Sequence, residues 1–482
     1  VTQGRVLCFW FDTSVAFGET LLPARLPLIL LHRDQVLNSD LDDIQHVLAR
    51  GQRGQRRHIA MVLLFCEGES LERGKRLLSE RLEETLAYDV MTLGKADVQS
   101  LLHTTDPQDT VRHLILSQID LLSISPFVIN GPTPDNMFVG RERELRDITE
   151  RATTESFALI GGRRIGKSSL LGRLHRVRLP AAGFCTLYHD CSTTPTFEAF
   201  LDAAIRDWQP GPSADEVSTF GDLLQSSPMD RPLVLLLDEA DKLVFADRSN
   251  GWILFNKLRA LANSGRTQMV LSGERKLREA MQDPSSPLFN FANEILLGPL
   301  DFRDVEALVT RPLKQLALEL VDEKTIVGRI WAFTSGHPNV VQRLCRRLIE
   351  RLNEQGTRRV TPDDVSAVIE DPQFQEIDFL QTFWEAATLL EKIITLVLTQ
   401  TAKVYRLREV RQLVSEQTYI RPSATETKEA LDRLVDLRSI LKRSPAGYAF
   451  AVKAFPLVLV NTTTVEDLLE VLTEQYEHKE QR

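Results

Sequence analysis

Apolar residues fall into two rhythms along this chain. Short unbroken runs at 6–11, 26–31 and 60–65 alternate with amphipathic stretches such as 41–49, where apolar positions recur every three to four residues. Unbroken runs suit strands buried on both faces of a parallel sheet, and the stretches between them are long enough for crossover helices. Residues 1–125 therefore read as a small α/β domain with a parallel sheet. Asp40, Asp42 and Asp43 follow Ser39 at the start of the 41–49 pattern, where carboxylates favour the helix dipole, so they read as capping charges and not as a metal cluster.

Proline, glycine and asparagine crowd residues 126–137, as in Gly131-Pro132 and Pro134-Asp135-Asn136, and mark a linker. From 138 to 298 helical and strand patterns alternate, as expected of a doubly wound sheet. From 299 to 370 the pattern turns wholly helical, with helices expected at 302–316, 323–333, 339–353 and 362–369 and Thr361 as an N-cap before Pro362. In 371–482, helical periodicity at 389–398, 407–416 and 425–437 is followed by two short apolar runs around a Pro445-Ala446-Gly447 turn. Three helices and a hairpin make a winged-helix pattern.

Length and charge narrow the class. The 482 residues exceed what one core usually holds, and 43% hydrophobic with 26% charged residues is ordinary for a globular chain. A net charge of −9 argues against a surface built throughout to coat nucleic acid or anionic lipid. The five cysteines are scattered, without a Cys-x-x-Cys pair, which fits a reducing cytoplasm. Apolar runs fall far short of the ~20 residues a membrane helix requires, and neither export nor membrane contact is expected.

The chemistry concentrates in two places. An apolar run at 157–160 ends at Gly161-Gly162-Arg163-Arg164-Ile165-Gly166-Lys167-Ser168, and a helical pattern continues from Ser169. This is the G-x-x-x-x-G-K-[ST] string of a phosphate-binding loop, in its strand–loop–helix setting. Its glycines let backbone N–H groups turn toward phosphates, and the helix N-terminus adds positive charge. Lys167 reaches the β/γ oxygens, and Ser168 binds magnesium. Arg163 and Arg164 either shape the loop or meet the lid. About seventy residues on, the apolar strand 233–237 ends at Asp238 and Glu239. Asp238 is expected to hold Mg²⁺ and Glu239 to orient or deprotonate the attacking water. A further strand, 267–271, ends at Ser272, placed to touch the γ-phosphate or the water. Arg259, Arg266, Arg275 and Arg278 are available as completing arginines, and no spacing singles one out.

Five motifs in order carry a family resemblance. Phe138-Val139-Gly140-Arg141-Glu142-Arg143-Glu144-Leu145 resembles the opening box of STAND-type and archaeal-type AAA+ ATPases. The phosphate-binding loop and the Asp238-Glu239 strand end follow, then Ser286-Pro287-Leu288-Phe289-Asn290, and then Ser335-Gly336-His337-Pro338, which resembles the family's G-x-P lid motif. The resemblance covers roughly residues 126–460. It implies an α/β P-loop NTPase core (AAA+/STAND-like) with a helical lid, a C-terminal winged helix and, outside it, the small N-terminal α/β domain. It also implies that Val139, Gly140 and Arg141 line the adenine side, and that His337 and Pro338 let the lid sense the nucleotide.

Bound ATP or ADP with Mg²⁺ is thus expected, and a slow ATPase. The favoured reading is a STAND-like switch in signalling or conflict response, in which nucleotide state sets lid position and oligomerisation through a protein partner or self-assembly, with residues 1–125 as sensor or docking module. The alternative is a DNA-binding AAA+ ATPase resembling origin-recognition or transposition helpers. Between 391 and 453, 12 basic residues face 7 acidic ones, but the presumed recognition helix mixes Glu426, Glu429, Asp432 and Asp436 with Lys428, Arg433 and Arg438. Such a face follows phosphates poorly, which favours protein contact. A catalytic effector in residues 1–125 finds no nucleophile–base constellation to support it.

Overall fold

The computed structural model describes residues 2–3, 6–12, 25–49, 58–86, 88–122, 124–193, 199, 231–265, 267–400 and 403–480. The chain forms two compact units, one of residues 1–127, 310–326 and 345–364, the other of 128–309, 327–344 and 365–482.

In the first unit, strands β1 (Thr2–Gln3), β2 (Val6–Asp12), β3 (Arg25–Leu31), β4 (His58–Leu64) and β5 (Tyr88–Leu93) form one sheet in that order. Strands β3, β4 and β5 are parallel, as expected of their unbroken apolar runs. The expected all-parallel sheet is corrected at one edge, where β2 pairs antiparallel with β3. These two strands are neighbours with twelve residues between them, at the lower limit for a crossover. Val6, Cys8, Ile29, Leu31, Ala60, Val62 and Leu64 share one face and bury it under Leu41, Ile44 and Leu48 of helix Asn38–Ala49. Asp40 is buried, accepts from the Leu37 N–H and pairs with Arg33, so its role is local capping. In the same unit, Asn353 donates to Asp120 at 2.6 Å and Arg358 to the Leu116 carbonyl at 2.9 Å.

The second unit is built on β6 (Phe157–Gly161), β7 (Cys185–Asp190), β8 (Leu233–Asp238), β9 (Thr267–Gly273) and β10 (Asn293–Leu297). All are parallel, in the order β10-β6-β9-β8-β7. Every residue of β6, β8 and β9 is buried, and alternate side chains feed opposite faces. Ala158, Ile160, Leu235, Leu237, Met269 and Leu271 pack under Leu243, Leu258 and Leu277. Phe157, Leu159, Val234, Leu236 and Val270 pack under Leu145, Leu170 and Leu171. The sheet is therefore covered by helices on both sides.

Helices Phe302–Gln315, Glu323–Thr334, Pro338–Glu354 and Pro362–Glu370 match the helical run read from the sequence, with Thr361 and Asp364 bonded to each other's backbone at the last. A parallel pair, Glu319–Leu320 with Arg359–Val360, interrupts what was expected to be wholly helical. Toward the C-terminus, helices Leu389–Thr399, Leu407–Gln417 and Ala424–Asp436 precede the hairpin Leu441–Ser444/Gly447–Phe450. Thr388 with Glu391 and Ser423 with Glu426 form capping boxes that fix two of these helix starts. Two helices beyond the hairpin, Phe455–Thr462 and Val465–Glu480, complete the described chain.

Candidate functional site: the phosphate-binding loop and its acidic strand ends

The loop from 161 to 167 leaves the carboxyl end of β6 at mid-sheet. Gly166 takes φ 103° to enter helix Lys167–Arg173, a left-handed geometry that only glycine adopts without strain. Lys167 is buried and curls back, its ammonium donating to the Gly161 and Gly162 carbonyls at 2.9 Å each and lying 3.5 Å from a Glu274 carboxylate oxygen. Buried lysines are rare without partners, and this one has three. Arg163 pairs with Glu385 at 2.8 Å. Burial lowers the pKa of the Arg164 guanidinium, and Arg343 and Arg163 nearby lower it further.

A cleft of about 320 Å³ opens at the loop. Gly166, Lys167, Ser168 and Ser169 form its floor, with Arg163 and Arg164 at the loop. Glu239 stands on one side and Pro338, Asn339 and Gln342 on another. The remaining wall is the 128–133 segment, held in place by three bonds. Thr133 N–H donates to Ser169 Oγ at 2.9 Å, Val128 N–H to Gln342 at 3.1 Å, and Asn339 donates to the Ile129 carbonyl at 3.0 Å.

Val139, Gly140 and Arg141 do not line this cleft. Gly140 and Arg141 are both left-handed, at φ 69° and 63°, and a Cβ on Gly140 would collide with Asp304. This turn sends the Arg141 guanidinium to the carbonyls of Ile165 and Gly298, where it braces the loop from the side. His337 lies buried against Phe383, with ring centroids 4.9 Å apart, while the adjacent Pro338 reaches the cleft. Burial, with Arg164 and Arg141 adding to it, pushes the imidazole pKa down to about 3.

The acidic strand end is built across three strands. The β8–β9 register pairs Leu237 with Leu271, so Asp238 and Ser272 follow side by side. One Asp238 oxygen accepts from Ser272 Oγ and from the Glu239 N–H, and the other accepts from the Tyr188 hydroxyl at 2.8 Å. Ser272 Oγ also accepts from the Glu239 N–H at 3.2 Å. Burial and the Asp238 charge push the Tyr188 phenol upward, so it stays a donor. Glu239 turns at φ 51°, which carries its side chain off the strand and into the cleft. Desolvation in the cleft raises its pKa, Lys167 opposes that, and Asp238, Glu274 and Asp241 reinforce it.

Asp241 caps a neighbouring helix, not its own. Its carboxylate accepts from the N–H groups of Glu274, Lys276 and Leu277 at the start of helix Arg275–Gln282. Of the possible completing arginines, Arg259 binds the Pro287 and Phe289 carbonyls, Arg275 pairs with Glu279, and Arg278 pairs with Asp436 and Glu294. Arg266 lies outside the described residues.

The C-terminal helices also reach the loop. A Cβ on Gly162 would collide with the Leu437 carbonyl, so the end of helix Ala424–Asp436 is seated against the phosphate-binding loop. The next residue, Arg438, is 3.3 Å from Glu274 and 3.3 Å from the fully buried Glu391, which also holds Arg433 at 2.5 Å. Tyr188, Glu274, Asn339 and Arg438 carry no motif that marks them in the sequence, whereas Gln342 lies in the run Val341–Cys345 that follows the Gly336-His337-Pro338 lid motif.

Hard oxygen donors at Ser168 and Asp238 fit Mg²⁺, which takes one or two carboxylates and completes its shell with phosphate and water. Among the described residues no group of three or more His, Cys, Asp or Glu is disposed to hold a metal. A glycine loop, a buried lysine and an Asp-Glu strand end on a 5-1-4-3-2 parallel sheet define an AAA-type P-loop ATPase domain. Residues 150–281 match the family profile described as an AAA domain. Among solved structures, the chain is similar to the Walker-type ATPase PABY2304 of Pyrococcus abyssi, at 17% identity and a TM-score of 0.52, covering 69% of this chain and 99% of that one. It is also similar to the Aeropyrum pernix ORC2 protein, solved in ADPNP–ADP complexes, at 15% identity and a TM-score of 0.50, covering 74% of this chain and 98% of that one. A comparison with curated proteins gave no match. No described helix is long and apolar enough to cross a membrane.

Proposed function

We propose that this ATPase is a STAND-like switch that binds ATP with Mg²⁺, hydrolyses it slowly to ADP and phosphate, and uses the nucleotide state to move its helical lid and C-terminal domain. The observation that carries this is the seating of Leu437 and Arg438 at the phosphate-binding loop, because it puts the C-terminal helices in reach of whatever the loop binds. A ligand shifts a two-state arrangement only through contacts that differ between the states, and this seat supplies such contacts.

In this reading the domains are residues 1–125 for sensing or docking, 126–137 as linker, 138–298 as core, 299–370 as lid and 371–482 as a winged-helix domain. Lys167 and the loop N–H groups hold the β- and γ-phosphates. Ser168 and Asp238 hold Mg²⁺, which supplies charge neutralisation when bound. Glu239 takes the proton of a water that attacks the γ-phosphorus as the bond to the bridging oxygen breaks. Ser272 holds both the Asp238 carboxylate and the Glu239 backbone, making it a positioning residue. The 128–133 segment forms the nucleoside wall, and His337-Pro338 couples the lid to it.

The likeness to the Aeropyrum pernix ORC2 protein favours a second reading, a DNA-binding ATPase of the origin-recognition kind. Against it, Asp436 on the presumed recognition helix is engaged by Arg278 of the core at 2.7 Å, and Asp432 by Arg443 at 3.1 Å. Sedimentation of Glu239→Gln with ADP or ATP, with and without duplex DNA, separates the two. Assembly driven by ATP alone supports the protein-partnered switch. Assembly or binding seen only with DNA supports the second reading, and no response to ATP in either condition removes the first.

A further inference from the structure

Lys167 has three N–H donors, and two are committed to the Gly161 and Gly162 carbonyls. The third points toward Glu274, 3.5 Å away. That carboxylate is held on a stiff mount. Its backbone N–H is tied to Asp241, and the preceding Gly273 has no space for a Cβ between Asp241 and Leu277. Its other oxygen faces Arg438. The result is a chain of alternating charge, Lys167, Glu274, Arg438, Glu391 and Arg433, with three cations against two carboxylates. Glu274 is thus an anion in contact with the one ammonium that a P-loop turns toward the β- and γ-phosphates.

We propose that Glu274 sets the preference of the site between ADP and ATP, as a fixed carboxylate that competes with the γ-phosphate for Lys167 and is restrained from doing so by Arg438. This rests on the reading of the loop as a nucleotide site. ADP and ATP share the β-phosphate, so a competitor at the lysine penalises chiefly the nucleotide that brings an extra, more highly charged group beside it. One unit charge a few ångströms away in a partly screened cleft is worth about tenfold or more in affinity. Arg438 opposes that penalty by sharing the carboxylate. The C-terminal domain, which supplies Arg438, thereby tunes which nucleotide the core retains.

A purely structural ion pair makes a different forecast, because its loss weakens both nucleotides alike. The test is the ratio of ATP to ADP affinity, measured calorimetrically with Mg²⁺ on the full chain. Glu274→Gln is expected to raise that ratio about tenfold. Arg438→Gln, which leaves the carboxylate to Lys167 alone, is expected to lower it, and the double variant to follow Glu274→Gln. Glu274→Asp keeps the charge but shortens its reach to Lys167, so it should raise the ratio by less than Glu274→Gln. A ratio unchanged within twofold in both Glu274 variants overturns the proposal, as does a shift of the same sign in Glu274→Gln and Arg438→Gln. Wild-type protein that binds neither nucleotide overturns the nucleotide-site reading itself, a failure visible before any variant is compared.

Discussion

His337 gives the most direct quantitative test of how the turn before helix Pro338–Glu354 is packed. The residue sits in the turn between helices Glu323–Thr334 and Pro338–Glu354, is only 4% exposed, and has a ring Nδ1 without a hydrogen-bond partner. Burial, helped by Arg164 and Arg141, lowers its pKa to about 3. An unfolded histidine titrates near 6.5. Between those two values the unfolded chain binds a proton that the folded chain refuses, so stability is lost as pH falls through that window. The loss accumulates at about 1.4 kcal/mol per pH unit, or roughly 2 kcal/mol between pH 7 and pH 5. His337→Leu removes the titration and keeps an apolar contact with Phe383. In calorimetry, the unfolding transition that contains the P-loop should fall by roughly 5 °C more in wild type than in His337→Leu over that pH change. Equal falls in the two proteins would refute the burial of a neutral imidazole at this turn.

Three shorter predictions bear on the site. Lys167→Ala should weaken ATP and ADP binding about a hundredfold by removing the buried ammonium, and wild-type affinity in calorimetric titration would show that the phosphates bind elsewhere. Glu239→Gln should retain ATP and slow phosphate release by about a hundredfold or more. Because the base acts only when deprotonated and its pKa is raised, wild-type hydrolysis should decline on acidification at a pH above the usual carboxylate range, a decline absent from the residual rate of Glu239→Gln. Gly162→Ala should force the Leu437 carbonyl off the loop at a cost of about 1–3 kcal/mol, read as faster amide exchange across 433–443, and unchanged protection there would contradict the seating.

Contiguous features of the sequence were legible and distributed ones were not. The loop from Gly161 to Ser168 is a single string, and its strand–loop–helix setting follows from local periodicity, so its place at the end of β6 could be read directly. The helices from 302 to 370 and the C-terminal hairpin were legible for the same reason. The antiparallel β2–β3 edge was not, because unbroken apolar runs report burial and say nothing of direction. How the chain turns before helix Glu142–Arg151 was not legible either, because apolar periodicity carries no signal for left-handed backbone. Two consecutive left-handed residues there direct the Arg141 guanidinium to the carbonyls of Ile165 and Gly298, at the side of the loop.

The same contrast separates the acidic pair, which is contiguous in the sequence, from its supports, which are not. Asp238 and Glu239 announce themselves by closing an apolar strand, but the three donors that fix Asp238 come from β7, from β9 and from the next residue's backbone. Only the order β10-β6-β9-β8-β7 brings Tyr188 to one oxygen and Ser272 to the other. Ser272 was reachable from the sequence because it ends a strand of the same kind, whereas Tyr188 lies inside β7 with no polar pattern to mark it. Glu391 shows the limit most clearly. Three residues after Thr388, it caps the helix start by accepting from the Thr388 N–H at 3.1 Å, and the same buried carboxylate also holds Arg433 and Arg438. A carboxylate that fully buried must be matched by charge, so the cap and the ion-pair chain cannot be altered separately. A local signal is thereby tied to a distant one, from the start of a C-terminal helix through Arg438 and Glu274 to the lysine of the loop.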